Sequence, residues 1–222
     1  MRKECFVIGG GSSLSSFNWN SLTYKDTIVS NAAIFYVPKP KYFVTVDYTF
    51  YTKLNETDRD IFDNIGTTKI FIADMSEGTP LIEENGRILD PRWNLVYKLN
   101  PYDMVVKAKY KQGFSYEFSQ FCTGINSGYC ALQTAIALGY KKIYLLGIDL
   151  NAPTETHFHN KYKNKEATDF RSKLDRYYNY FESGLRQLKQ ENQVEVINCS
   201  ESSRLANLIP TVSLETVLKD LL

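Results

Sequence analysis

Two hydrophobic spacings alternate along the chain. Short, nearly unbroken apolar runs occur at residues 4–8 (ECFVI), 27–30, 42–47 (YFVTVD), 69–73, 142–146 (KIYLL) and 194–198, each four to six residues long. Runs of that length and kind predict strands covered on both faces, as in a parallel sheet. Between them lie segments with apolar residues three or four apart. The clearest is 122–150, CTGINSGYCALQTAIALGYKKIYLLGIDL. Here Leu132, Ile136 and the small residues Ala131, Ala135 and Ala137 predict a slim helix. Asn126 and Ser127 stand at its start as N-caps, and Gly139 stands where a left-handed C-cap falls. The strand that follows ends in Gly147-Ile148-Asp149, so this stretch reads as a helix-strand half of a βαβ unit with an acid at the strand's carboxyl end. A second helix begins near Thr168 or Asp169 and carries Phe170, Leu174, Tyr177, Phe181, Leu185 and Leu188, a stripe that predicts core packing. Thr57 with Asp60 predicts a short helix ending near Gly66, and Ser213 caps a terminal helix.

Strands alternating with helices predict an α/β fold: a Rossmann-like, doubly wound, mainly parallel sheet with helices on both faces. The 222 residues suit one such domain, 1–222. Residues 74–121 resist assignment, because Gly78, Pro80, Gly86, Pro91, Pro101 and Gly113 break them into fragments. They read as a poorly regular insertion, either a lid or acceptor-binding wall or a surface excursion with a small hairpin. Residues 151–167 are polar and are expected to form a mobile loop over the strand ends.

Composition narrows the partners more than the fold. With 26 basic and 25 acidic residues the net charge is +1, which gives no footprint for nucleic acid or an anionic membrane. No apolar run approaches the ~20 residues of a membrane span. The four cysteines (Cys5, Cys122, Cys130, Cys199) are scattered without metal-ligand spacing and read as reduced thiols, so a soluble, cytoplasmic protein is expected. Self-association stays open.

Candidate chemistry collects at the predicted strand ends. Gly9-Gly10-Gly11-Ser12 after the first strand can turn successive N–H groups onto an anion or form a plain tight turn. It is neither a GxGxxG fingerprint nor a P-loop. Asn31 after the second strand can reach a ligand or pin a turn, and Asp47 after the third can hold a ribose hydroxyl or a metal, or cap a helix. Asn126, Ser127 and Gly128 form a bare helix entrance suited to phosphate. Both histidines of the chain, His157 and His159, flank Phe158 beyond Asp149. They suit a general acid or base, a metal pair completed by Asp47 or Asp149, or a plain surface.

The stretch INSGYCALQTAIALGYKKIYLLGIDL, with GGGSSL near the start and INCSESSRLANLIP near the end, resembles the Rossmann-like group of Campylobacter-type sialyltransferases (glycosyltransferase family 42). The uncharacterised DUF115 proteins and the archaeal 6-hydroxymethylpterin pyrophosphokinase-like proteins are related to that group. The resemblance implies a nucleotide-sugar ligand. Gly9 to Ser12, Asn31 and Ser127 would hold the nucleotide monophosphate part, and a histidine after Gly-Ile-Asp, His157 or His159, would be the base. The sequence departs from the family at three places. Gly10 and Ser12 replace an Asn and a Pro of the first turn. Cys122, Thr123 and Gly124 stand where the family has an Arg suited to a sugar carboxylate. Finally, residues 150–156 lack the family's tyrosines, a role Tyr162 could take.

The expected activity is therefore inverting glycosyl transfer from a nucleotide sugar to an unknown acceptor. His157 or His159 is the expected base, and Asp149 or Asp47 is expected to fix ribose or sugar hydroxyls. No metal or cofactor is firmly implied. One alternative is a Mg²⁺-dependent pyrophosphokinase or phosphotransferase of the pterin-kinase type, with Asp47 and Asp149 on the metal. Another is a non-catalytic nucleotide-binding or sensing module.

Overall fold

In a computed structural model, the described residues are 3–47, 49–74, 82–84, 87–89, 100–109, 111–151, 157–158 and 167–220. Seven strands form one sheet in the order β7-β4-β3-β2-β1-β8-β9: β1 (Glu4–Ile8), β2 (Thr27–Ser30), β3 (Tyr42–Thr45), β4 (Thr68–Asp74), β7 (Met104–Ala108), β8 (Lys142–Leu146) and β9 (Glu195–Asn198). Every pairing within it is parallel. From β1 the chain winds outward one way through β2, β3, β4 and β7, then crosses back to place β8 and β9 on the other side. The reversal falls between β1 and β8, and a crevice opens at the carboxyl ends of the two strands flanking such a reversal.

Period-2 alternation sends each strand's side chains into two separate cores. Cys5 and Val7 of β1 join Val44, Ile70, Ile143 and Leu145 on one face. There they pack on α3 (Ser127–Ala137) and α4 (Ala167–Glu191). Phe6 and Ile8 join Val29, Phe43, Phe71 and Leu146 on the other. That face is covered by short 3₁₀ turns, by α1 (Thr49–Thr52) and α2 (Glu56–Asn64), and by α5 (Leu214–Asp220). The strands therefore needed to be apolar on both sides, which is why they read as continuous runs.

α3 is the most deeply set helix, buried from Ser127 through Ile136. Its one long polar side chain, Gln133, is satisfied by the backbone of Cys122: the amide oxygen accepts from the N–H (2.8 Å) and the amide nitrogen donates to the C=O (3.2 Å). Tyr129 donates its hydroxyl to Gly113 O (2.5 Å) and stacks on Phe114 (centroids 4.5 Å apart), so α3 also anchors the 113–122 loop. Gly139 ends the segment at φ 81°, the left-handed C-terminal position expected for it.

The structure corrects the sequence reading in two places. The insertion contributes a main-sheet strand, β7, beside the expected hairpin formed by β5 (Ile82–Glu84) and β6 (Arg87–Leu89). α2 starts at Glu56, because Asn55 rather than Thr57 accepts the orphan amide of Asp58 (2.8 Å). The expected apolar fragment at 93–99 lies outside the described residues. Among the described residues, no helix is long and apolar enough to cross a membrane.

Gly184 sits inside α4, where glycine costs about 1 kcal/mol of helix propensity relative to alanine. A Cβ there would come 2.4 Å from the Phe114 ring, which is itself fixed on Tyr129. Overpacking of this kind costs about 1–3 kcal/mol, so packing should outweigh propensity. Gly184→Ala is expected to lower stability by about 1–2 kcal/mol in urea unfolding; a gain in stability would show that the 113–122 loop yields freely.

Candidate nucleotide-sugar site

A cavity of about 110 Å³ lies at the β1/β8 switch point. It is lined by Gly9, Gly10 and Gly11 after β1, by Ser30 and Asn31 after β2, and by Asn126, Ser127 and Gly128 at the start of α3. Residues 147–151 after β8, together with His157, close the other side.

The glycine turn lies against the end of β8 because it has no side chains. Gly9 N–H donates to Leu146 O and Gly11 N–H to Gly147 O, both at 2.8 Å. A Cβ on Gly11 would fall 2.4 Å from Asp149 Oδ2. At the facing wall, Asn126 has extended backbone and its Oδ1 accepts the N–H of Tyr129 (3.1 Å), so it is the N-cap of α3. The amides of Ser127 and Gly128, at the first turn, have no carbonyl four residues back within the helix. They carry the positive end of an eleven-residue helix dipole into the cavity. Ser127 Oγ accepts the N–H of Val46 (3.2 Å), which ties α3 to the end of β3.

Asn31 sits at φ 51°, and its Oδ1 accepts the hydroxyl of Thr45 (2.8 Å). In that orientation Nδ2 is the donor Asn31 can offer a ligand. Ile125 and Leu150, each also at φ 51°, bracket the same cavity. A left-handed conformation is uncommon for any non-glycine residue and rarest for a β-branched one such as Ile125. Strained turns thus cluster at this edge of the sheet.

Asp149 is 5% exposed, and its carboxylate is taken up by three donors. Oδ2 accepts Ser13 N–H (3.0 Å), while Oδ1 accepts the hydroxyls of Ser13 (2.7 Å) and Ser200 (3.1 Å). Asp47 does not line the cavity; its Oδ1 accepts the N–H and hydroxyl of Thr49 (2.9 and 2.7 Å) at the start of α1. This is the capping alternative of the sequence reading. Ser12 also lies off the cavity, in the 3₁₀ turn 12–14.

His157 lines the cavity and is partly buried, and desolvation holds its pKa below the ordinary histidine value. It is therefore neutral near pH 7, the state a base requires. The next residue, Phe158, donates its N–H to Gly10 O (3.1 Å). His159 and Tyr162 lie outside the described residues.

The cysteines are free thiols. Burial pushes Cys199 up to about 12 and Cys5 well above the ordinary thiol value, so these two are not activated nucleophiles. Among the described residues, no group of three or more His, Cys, Asp or Glu side chains is placed to hold a metal ion. No Lys or Arg lines the cavity among them either.

Of the sequence candidates, Gly9, Gly10, Gly11, Asn31, Asn126, Ser127, Gly128, Asp149 and His157 thus meet in one place. Sequence reasoning missed the supporting residues. Ser203 Oγ donates to Ile148 O (2.7 Å), Arg204 N–H to Asp149 O (2.8 Å) and Asn151 Nδ2 to Ser202 O (2.7 Å), lacing the 200–204 turn to the 147–151 loop. The polar run SESSR was the available signal, since a serine-rich turn directly after the last strand offers donors to the neighbouring strand end.

No curated protein matches the chain in sequence. Solved structures do match its fold. The sialyltransferase CstII from Campylobacter jejuni, in complex with the substrate analogue CMP-3FNeuAc, superposes with a TM-score of 0.56 at 20% identity, covering 95% of this chain and 86% of that one. CST-II structures with CMP, and with a trisaccharide acceptor and CMP, give TM-scores of 0.55 and 0.53. Both are again 20% identical, covering 94% of this chain and 86% of theirs. The family model for alpha-2,3-sialyltransferase (CST-I) matches residues 89–220, more than half of the sequence. The chain therefore belongs to the CST-I alpha-2,3-sialyltransferase family of glycosyltransferases.

Proposed function

We propose that the chain transfers a sugar, with inversion, from a CMP-activated donor to an acceptor hydroxyl, with His157 as the base. The observation that carries this reading is the convergence of the glycine turn, the amino end of α3 and a neutral histidine on one cavity. The family and the CMP-bound relatives favour CMP-sialic acid as the donor.

In this mechanism the donor phosphate lies against the amides of Ser127 and Gly128, with Ser127 Oγ and Asn31 Nδ2 as further donors. His157 accepts the proton of the acceptor hydroxyl as its oxygen attacks the anomeric carbon. The bond from that carbon to the phosphate oxygen breaks, and CMP leaves with the electron pair. Preorganised N–H groups and the helix dipole stabilise the negative charge that develops on the leaving phosphate. The acceptor oxygen arrives on the face opposite the departing phosphate, which gives inversion. Asp149 is a positioning residue in this scheme, since its oxygens hold Ser13 and Ser200. With Cys122, Thr123 and Gly124 in place of the family's Arg, a sugar carboxylate meets neutral donors among the described residues of the cavity. Weaker discrimination between CMP-sialic acid and uncharged CMP-sugars follows.

General base catalysis contributes about 10²–10⁴-fold. His157→Ala is therefore expected to slow CMP release from CMP-sialic acid by at least about 100-fold while CMP still raises the melting temperature. Turnover equal to the parent would remove His157 as base.

The pH profile has a definite sign. Protonation inactivates a base, and burial depresses this pKa, so kcat/KM should fall on the acid side only below the ordinary histidine value. Stability follows the same group: it is fully present above the unfolded histidine pKa and is lost as pH falls through the lower folded value. An acidic limb centred above pH ~6.5 would contradict the assignment.

Gly11→Ala puts a methyl group 2.4 Å from Asp149 Oδ2 and should part the turn from β8. CMP affinity measured by calorimetry is expected to drop about tenfold or more, which corresponds to 1.4 kcal/mol. Unchanged affinity would mean that the turn takes no part in donor binding.

A further inference from the structure

His157 and Phe158 face different surroundings. His157 lines the cavity, whereas the Phe158 ring packs against Trp19 (centroids 5.1 Å apart) and edge-on to Tyr36 (4.9 Å). Trp19 and Tyr36 also meet (6.0 Å), and Phe17 closes the nest against Trp19 (4.8 Å, perpendicular). These aromatics ride on the elements that carry the site. Trp19 opens a second 3₁₀ turn (Trp19–Leu22), beyond the one that follows the glycine turn, and Tyr36 caps the 3₁₀ helix that begins at Asn31. The backbone adds a third hold, the bond from Phe158 N–H to Gly10 O at 3.1 Å.

We propose that Phe158 is a positioning residue: its ring in the Trp19–Tyr36 nest and its N–H on Gly10 together latch His157 over the donor cavity. The proposal rests on the reading of His157 as base. Its physical content is that what Phe158 grips helps to fix where the adjacent His157 sits. Because Phe158 N–H bonds to Gly10 O and its ring packs on Tyr36 at the end of the Asn31 helix, the base is referenced to the groups that hold the donor. A misplacement of about 1 Å at such a group can cost about 100-fold in rate.

The latch also governs how dry the imidazole is. Asp149 is the other titratable side chain lining that cavity among the described residues, and its carboxylate is engaged with Ser13 and Ser200. Burial is the cause that lowers the affinity of His157 for a proton. Releasing Phe158 should admit water and move that affinity back toward an ordinary histidine.

The test uses a Trp93→Phe background, in which Trp19 is the remaining tryptophan of the two in the sequence. In that background, Phe158→Ala should lower kcat for CMP release from CMP-sialic acid by about 10- to 100-fold, leave KM for the donor within about threefold, and make Trp19 more accessible to acrylamide. The acidic limb of the pH profile should shift upward, which loss of folded protein alone would not cause. Phe158→Leu should recover part of kcat and Phe158→Tyr most of it. Parental kcat with an unmoved acidic limb in Phe158→Ala would overturn the latch, as would unchanged quenching of Trp19. Parental turnover in His157→Ala would overturn the base reading, and the latch with it. A slow His157→Ala beside a fast Phe158→Ala would overturn the latch alone.

Discussion

The parallel pairing of β1 with β8 continues past the strand ends through Gly9 N–H on Leu146 O and Gly11 N–H on Gly147 O, each at 2.8 Å. At that separation no side chain fits on either side of the seam. A Cβ on Gly9 would come 2.5 Å from Gly147 O, and one on Gly147, at φ 61°, would come 2.5 Å from Leu14 Cδ1. The floor of the cavity is therefore backbone, stiff and polar, and it lies where the winding direction of the sheet reverses. Asp149 depends on the same seam, because it reaches Ser13 only while the glycine turn stays closed on β8.

Among the described residues no cation lines the cavity, which has consequences for how an anion is held. Surface-type recognition by lysines would leave long, mobile cations at the mouth and a strong dependence on salt. Here the donors are amides and short hydroxyl or carboxamide side chains on fixed elements: Ser127 and Gly128 on a buried helix, Asn31 on a bond to Thr45. In the proposed transfer such donors would pay little reorganisation as charge moves from the sugar bond onto the phosphate, which is the event catalysis must favour. The buried Asp149 carboxylate would oppose an anion if its charge were unscreened. Its lone pairs are instead turned onto two serines, one on each side of the β1/β8 seam.

The sequence made the centre of the fold legible and its margins much less so. β1, β8 and α3 are buried on all sides, so their residue choice answers to a single demand, and the apolar runs and small residues reveal it. β7, with the partly exposed pattern of Met104 to Ala108, is an edge strand of the sheet among the described residues, and the glycines and prolines around it hid the signal. Acidic residues at strand ends were legible as positions but not as roles. Asp47 and Asp149 look alike in sequence, each closing an apolar run, yet one caps α1 and the other pins the glycine turn. Only the partner tells them apart, and the partner of Asp149 lies 136 residues away. The aromatic nest was equally hidden, since Trp19, Tyr36 and Phe158 come from three separate segments with no shared period.

Local strain at the site has an identifiable support in each case. Asn31, Ile125 and Leu150 all hold φ near 51°, a conformation that costs an L-residue roughly 1–2 kcal/mol. Asn31 is held by the Thr45 hydroxyl at 2.8 Å, and Ile125 N–H is held by Thr123 Oγ1 at 3.1 Å. Leu150 is flanked by Arg204 N–H on Asp149 O and by Asn151 Nδ2 on Ser202 O. A net hydrogen bond is worth about 1 kcal/mol, comparable to the strain at each turn. The left-handed turns are therefore sustained by Thr45 on β3, by Thr123 two residues earlier and by the 200–204 turn, and would relax if those partners moved. That explains why the serine-rich segment after β9, far from the cavity in sequence, belongs to the same design. It supplies the hydroxyl and backbone partners that keep the loop after β8 bent away from an extended path and its residues turned onto the cavity.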